Sequence, residues 1–184
     1  MFSEPINRAG RILRRGGVVA YPTEGVFGLG CLPDDAEAVE RILAIKGRAA
    51  TKGLIVIASR ISQLRDWINL PNAASELSTP SDQAVTWIVP PAEYLPYWIC
   101  GEHDGIAVRI TSHPVAAALC DAADSALIST SANLSGHPPA RSRHVLRRCF
   151  HGLVDYIVPG QCGPANKPTE IRVLTTGEVL RPAT

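Results

Sequence analysis

Gly17-Val18-Val19-Ala20-Tyr21-Pro22-Thr23-Glu24-Gly25 opens the stretch from Gly17 to Ser59 on which the reading of the whole chain turns. Val18 to Tyr21 is a short apolar strand, broken by Pro22-Thr23-Glu24 and followed by a glycine-spaced turn at Gly25, Gly28 and Gly30. A helix comes next, with Asp34 or Asp35 at its start and Lys46-Gly47-Arg48 at its end. Thr51-Lys52-Gly53 then leads into a second apolar strand, Leu54 to Ala58. Strand, glycine turn, helix and strand predict a β-α-β-like unit. Lys46, Arg48 and Lys52 arrive together just before its second strand, and an anion is the natural partner for such a cluster.

Within the helix, Val39, Ile42, Leu43 and Lys46 fall at i, i+3, i+4 and i+7, so they share one face. Lys46 continues the apolar stripe: its stem can lie on the core while the ammonium emerges at the helix end. A lysine there also complements the helix dipole. Arg48 and Lys52 close by weigh toward a site.

On the N-terminal side, Ser3-Glu4-Pro5 reads as a helix start, with Ile6, Ile12 and Leu13 as a weak stripe and Gly16-Gly17 as the stop. Its arginines form a solvated face, with nucleic acid as the competing partner. On the C-terminal side, Ser62 to Trp67 reads as a short helix before a Pro/Asn/Ser-rich connector. Val85 to Val89 is a strand ending at Pro90-Pro91, and Trp87, Tyr97 and Trp98 read as packing residues.

Ile106 to Thr111 alternates as a strand and places Arg109 opposite Val108 and Ile110. A central strand arginine must pair with a carboxylate or reach into a cavity. Pro114 to Ala123 is a helix with His113 near its cap. Ala126 to Ile128 is a buried strand running into Ser129-Thr130-Ser131-Ala132-Asn133-Leu134-Ser135-Gly136. Ligands collect beyond strand ends in α/β folds, and these hydroxyls suit phosphate and ribose oxygens, although turn and cap roles explain such clusters too. Val145 to Phe150 is a helix, Val154 to Val158 a strand, and Thr176-Gly177-Glu178 a hairpin-like turn before Val179-Leu180-Arg181.

At 184 residues the chain is expected to form one domain, residues 1–184. Eighteen basic against seventeen acidic residues give a net charge of +1, so no global footprint for nucleic acid exists. Five scattered cysteines without a C-x-x-C pair argue against zinc and for a reduced, cytoplasmic protein. Arg8, Arg11, Arg14 and Arg15 interrupt any leader-like apolar run, and no window is long enough to span a membrane. The chain lacks G-x-x-x-x-G-K-[ST], the dinucleotide glycine fingerprint, G-x-S-x-G and H-E-x-x-H. What remains is a cationic, hydroxyl-rich site with no evident nucleophile and no metal-ligand set, which fits adenylyl or phosphoryl transfer by positioning and charge neutralisation.

The motifs Ala20-Tyr21-Pro22-Thr23-Glu24, Gly28-Leu29-Gly30-Cys31, Lys46-Gly47-Arg48, Lys52-Gly53-Leu54, Val108-Arg109 and Ser129 to Gly136 occur in the order of the YrdC/TsaC family. Pro168-Thr169-Glu170-Ile171-Arg172 and Leu180-Arg181-Pro182 extend the match. The chain resembles that family over nearly its whole length, and most of all the short bacterial TsaC form. The resemblance implies an α/β fold, a twisted mixed sheet with flanking helices around a large, positively lined concave cavity. It implies that L-threonine, bicarbonate or CO2 and ATP yield L-threonylcarbamoyl-adenylate and pyrophosphate. Other proteins then move the threonylcarbamoyl group onto tRNA.

By the same resemblance, Lys46, Arg48 and Lys52 would hold the ATP phosphates, with magnesium sharing the neutralisation. Ser131 and Asn133 would contact the nucleotide and Arg181 would close that side. Thr23, Arg109, Ser129 and Thr169 would hold threonine and its carbamate. Two departures stand out: Ser81-Asp82-Gln83-Ala84 replaces the W-P-G-P of many relatives, and Ile57 stands where longer relatives have a histidine, so a threonine contact is lost or replaced. An RNA- or tRNA-binding module of the same fold without adenylate synthesis is the rival reading, and a carbamoyl-transfer module the second.

Overall fold

The computed structural model describes residues 3–70, 77, 84–165 and 169–182. Among these, nine strands form one mixed sheet in the order β7-β1-β2-β6-β3-β5-β4-β8-β9. The strands are β1 (Val19–Pro22), β2 (Phe27–Gly30), β3 (Ile55–Ala58), β4 (Val85–Val89), β5 (Ile106–Ile110), β6 (Leu127–Ser131), β7 (Tyr156–Ile157), β8 (Glu170–Val173) and β9 (Val179–Arg181). The helices are α1 (Glu4–Leu13), α2 (Ala36–Lys46), α3 (Tyr97–Cys100), α4 (Pro114–Ala123) and α5 (Arg143–Phe150). No helix among the described residues is long and apolar enough to cross a membrane.

Two apolar layers cover the sheet. On one face Ile6, Ala9 and Leu13 of α1 and Ala116, Leu119 and Cys120 of α4 meet Val19, Tyr21, Ile57 and Leu127. On the other, Val39 and Ile42 of α2 and Leu146 and Phe150 of α5 meet Ala20, Phe27, Leu29, Val56 and Ile128. Strands sandwiched in this way read as continuous apolar runs rather than alternating ones, which is why Val18 to Tyr21 and Leu54 to Ala58 stand out in the sequence.

The decisive stretch folds as strand, strand, helix, strand. The run Phe27-Gly28-Leu29-Gly30 is not a turn but β2, paired antiparallel with β1 on one side and β6 on the other. Its glycines serve close approach: a Cβ on Gly30 would lie 2.6 Å from the Ile128 carbonyl oxygen and 2.8 Å from the Tyr21 ring. Glycine spacing therefore marks a crowded strand where the sequence suggests a loop.

The same override lengthens β6. The sequence ends that strand at Ile128, yet pairing with β3 and β2 carries it through Ser131, so Ser129, Thr130 and Ser131 sit on sheet rather than loop. Ladder hydrogen bonds on both edges outweigh the turn preference of serine. Residues 61–64 form a 3-10 turn where a short helix over 62–67 is expected, and only Tyr156–Ile157 of the expected strand 154–158 is a strand of the sheet. Ser81-Asp82-Gln83 and Pro168 lie outside the described residues.

Helix α2 behaves as its pattern requires. Asp35 caps it, accepting from the Ala38 N–H at 2.9 Å. Gly47 ends it in the left-handed region (φ 57), and its N–H and that of Arg48 return to the carbonyls of Ala44 and Leu43. Lys46 points inward from the buried face of the helix, and the reversal leaves Arg48 pointing along a new direction.

Candidate active site

The concave side of the sheet encloses a cavity of about 1450 Å³. Of the residues expected from sequence, Thr23, Arg48, Lys52, Arg109, Ser129, Ser131, Thr169 and Arg181 all line it. Five cations (Arg48, Lys52, Arg109, Arg141 and Arg181) and two carboxylates (Glu24 and Asp104) face the same space. The wall is thus net positive although the chain is nearly neutral, and such a concave surface concentrates anions.

One end is built by the α2–β3 connection. Residues Ala50–Lys52 form a 3-10 turn. Arg48 bends over it, with Nη2 donating to the carbonyls of Lys52 and Gly53 at 3.2 and 3.0 Å, while its buried Nε has no hydrogen-bond partner. A buried guanidinium N–H without an acceptor on a cavity wall is the sort of donor that an anionic oxygen satisfies. Burial lowers the Arg48 pKa from its ordinary value. Beneath this turn, Gly53 abuts the Cys100 carbonyl and the Glu102 N–H donates to the Thr51 carbonyl at 2.9 Å. Helix α3 and the loop after it therefore brace the segment that presents Lys52.

Lys46 and Asn133 are placed differently. Neither lines the cavity; both lie one layer behind it, and Lys46 is only 6% exposed. The Lys46 ammonium donates to the backbone carbonyls of Ser131 and Asn133 and to Asn133 Oδ1. Asn133 Oδ1 also accepts from Ser131 Oγ at 2.6 Å, and its Nδ2 donates to the carbonyls of Leu134 and His137. The amide of Asn133 is thus fully engaged within the protein. Burial, and then the Arg48 charge, lower the Lys46 pKa from 10.5 to about 8.

The other end gathers around Arg109. The strand pattern demanded a carboxylate or a cavity, and the structure supplies both. Its Nη1 lies 3.5 Å from Glu24 Oε2, and Nε and Nη2 donate to Thr86 Oγ1 at 3.0 and 2.8 Å. Burial lowers the Arg109 pKa, opposed by the Glu24 charge. Glu24 Oε1 accepts from Thr111 Oγ1 at 2.6 Å. Burial pushes the Glu24 carboxyl up, but Arg109 and Thr111 together hold it below its ordinary value. Gly28 forms the floor between Thr23 and Ser129, whose side chains a Cβ there would meet at 3.2 and 3.5 Å. Arg181 donates through Nε and Nη2 to the Thr169 carbonyl, tying two expected site residues to each other at the sheet end.

Sequence reasoning missed Glu24 as a site residue although it adjoins Thr23. It also missed Arg141, His103 and His113, which tertiary packing alone brings to the wall. His113 Nε2 lies 3.1 Å from the Gln161 carbonyl, so that nitrogen carries the proton. Ile57, where longer relatives have a histidine, is 2% exposed and packs into the α1/α4 face, away from the cavity.

The family model described as Telomere recombination (Sua5_yciO_yrdC) matches residues 11–183. A threonylcarbamoyl-AMP synthase of Xanthomonas axonopodis pv. citri (strain 306) is 47% identical over 180 residues, covering 96% of each chain. A protein of the same name from Xanthomonas campestris pv. campestris (strain B100) is 49% identical over 175 residues, covering 92% of each. Among solved structures, P. abyssi Sua5 complexed with L-threonine is similar with a TM-score of 0.87 and 32% identity, over 99% of this chain and 55% of that one. This chain therefore spans about half the length of that protein. With the mixed sheet, the cationic cavity and matches of this extent, the chain belongs to the Sua5/YciO/YrdC family.

Proposed function

We propose that the protein is an L-threonylcarbamoyladenylate synthase, a nucleotidyltransferase that joins L-threonine, bicarbonate or CO2 and ATP into threonylcarbamoyl-AMP and pyrophosphate. The observation that carries this reading is one continuous cavity holding two unlike subsites. Arg48 and Lys52 offer point and fork cations to a polyphosphate, while Thr23, Glu24, Arg109 and Ser129 offer a small polar pocket to an amino acid. Reactants held side by side in one cavity react as though far more concentrated.

In this reading the threonine amine, once deprotonated, attacks CO2 and forms the carbamate. A carbamate oxygen then attacks the α-phosphorus of ATP, the bond from that phosphorus to the bridging oxygen breaks, and pyrophosphate leaves. Arg48 and Lys52 hold the departing phosphates and neutralise the charge that builds on them. Arg109, Ser129 and Thr169 orient the amino-acid portion. Ser131 and Arg181 contact the nucleotide, and Lys46 and Asn133 act from behind by fixing the Ser131–Asn133 backbone. Among the described residues no group of three His, Cys, Asp or Glu side chains is arranged to hold a metal, and Glu24 is committed to Arg109 and Thr111. Magnesium therefore fits as a companion of the triphosphate, bound through phosphate oxygens.

The chain acts as one domain in the cytoplasm, where its product passes to proteins that modify tRNA. The test is pyrophosphate release from ATP and bicarbonate with and without L-threonine, with mass detection of the adenylate. Threonine-dependent release is expected. Binding of RNA with no release would transfer the chain to the binding-module reading. Arg48→Ala and Lys52→Ala should each raise the KM for ATP at least about tenfold and leave that for threonine unchanged.

A further inference from the structure

The Arg109–Glu24 pair has an unusual geometry for an ion pair so little exposed. The two groups stand 3.5 Å apart, beyond a good hydrogen bond, with side chains only 11% and 14% exposed. Each is instead tightly bound from behind, Arg109 by Thr86 and Glu24 by Thr111.

The backbone that carries Glu24 is equally fixed. The N–H groups of Gly163 and Ala165 donate to the carbonyls of Thr23 and Glu24 at 2.9 and 3.0 Å. A Cβ on Gly25 would lie 2.7 Å from the Ala165 carbonyl oxygen, and one on Gly163 2.6 Å from that of Glu24. Each charge is held from behind by its threonine hydroxyl, and both face the cavity.

A fixed cation beside a fixed anion is complementary to a zwitterion whose charged groups are separated by one carbon. Resting on the synthase reading, we propose that Glu24 receives the α-ammonium of the amino-acid substrate while Arg109 receives its carboxylate. The pair, rather than Arg109 alone, then selects an amino acid over a simple carboxylic acid, because a lone carboxylate gains Arg109 but faces Glu24 uncompensated. Arg109 has its Nε edge spent on Thr86, so it offers Nη1 and the outer N–H of Nη2, which leaves much of the recognition to Glu24.

The chemistry that follows uses the same charge. The ammonium gives up one proton to solvent, the free amine forms its N–C bond to CO2, and the second nitrogen proton leaves to solvent, so that a cationic group becomes an anionic carbamate. Glu24 then repels the group it had held, and the carbamate turns toward Arg48 and Lys52, where the α-phosphate would lie. A carboxylate held below its ordinary pKa stays charged at neutral pH through both stages.

The experiment measures calorimetric affinities of L-threonine and of (R)-3-hydroxybutyrate, which is threonine without its amino group. Wild-type protein should prefer threonine by at least about tenfold, and Glu24→Gln should bring that ratio close to one while its ATP affinity stays unchanged. A wild-type ratio near one overturns the inference even if the variant fails to fold. So does a folded Glu24→Gln protein, verified by a cooperative melt, that keeps the wild-type ratio. Wild-type protein that binds neither compound and releases no pyrophosphate would instead sink the synthase reading itself, and the inference with it.

Discussion

Lys46 and Asn133 are joined twice, the ammonium donating to Oδ1 at 2.9 Å and to the backbone carbonyl at 3.2 Å, with a third bond to the Ser131 carbonyl. One side chain from the end of α2 thus fixes the chain where it leaves β6. The cationic face of the cavity and its hydroxyl-bearing strand are coupled through this clamp, so a lysine that does not itself line the cavity still sets the position of Ser131.

Removing the clamp should therefore cost activity through geometry. Lys46→Met keeps the stem and deletes all three donors, leaving buried oxygens without partners. Adenylate formation should fall at least about 100-fold, equivalent to about 2.7 kcal/mol of transition-state stabilisation. A folded Lys46→Met protein with wild-type turnover would remove the clamp from the mechanism.

The same lysine predicts a pH limb. Its folded-state pKa of about 8 lies below the ordinary 10.5, so on raising the pH the folded protein loses this proton before the unfolded chain does. Between those values the unfolded state binds more protons, and Lys46's own effect on stability becomes more favourable to folding as pH rises. Activity moves in the opposite sense, because a neutral amine has one donor fewer for its three acceptors. The kcat/KM for ATP should decline through about pH 8, while the melting temperature shows no matching fall. A flat profile from about pH 7 to 9.5 would contradict this.

Thr86 is fully buried and its hydroxyl accepts two bonds from Arg109. Thr86→Val keeps the shape and leaves two guanidinium N–H groups unsatisfied. A loss of about 1–3 kcal/mol in urea denaturation is expected. The KM for threonine should rise as well, since Arg109 is freed to close on Glu24. Stability within about 0.3 kcal/mol of wild type would show that water replaces the hydroxyl without penalty.

Helix α2 was legible because its cap, its stripe and its terminal glycine all point the same way, and Lys46 lies buried on the stripe as its spacing requires. Strands β1, β4 and β5 were legible from apolar runs and alternation. Strand β2 was not, because Gly28 and Gly30 have the local character of a turn and only the neighbouring Ile128 carbonyl explains them. Of the cations lining the cavity, Arg48 and Lys52 could be read from their clustering after α2. The carboxylate opposite Arg109 could not, because Glu24 and Arg109 are brought together through a sheet order that skips between distant strands. The stripe places Lys46 on the core side, whereas the reach of Arg48 to the wall follows from the reversal at Gly47.

Acid should reveal the Glu24–Arg109 pair. The Glu24 carboxyl is held below its ordinary 4.5 in the folded state, so on acidification the unfolded chain takes up this proton first. Its contribution to stability is complete above about 4.5 and disappears as pH falls through the folded value. Glu24→Gln should be less stable than wild type at neutral pH, and the gap should narrow at about pH 3.5. Parallel urea midpoints at both pH values would show that the pair contributes nothing through charge.

Gly101 offers a test of how the turn that presents Lys52 is held. It adopts φ +62, and a Cβ there would overlap the Thr51 carbonyl and lie 2.6 Å from the Gly53 nitrogen. Those are backbone atoms of the segment that presents Lys52, so no side chain can swing aside to make room. Gly101→Ala adds left-handed strain to this overlap, and together they should cost about 2–4 kcal/mol. Part of that cost is relieved if the turn shifts away from α3, which would displace Lys52 and loosen the bonds from Arg48 to the Lys52 and Gly53 carbonyls. The variant should therefore lose ATP affinity several-fold more than threonine affinity, because the Arg109 end is built on different strands. Equal losses for both ligands would mean that the cavity deforms as one body and that the two subsites are not independently supported.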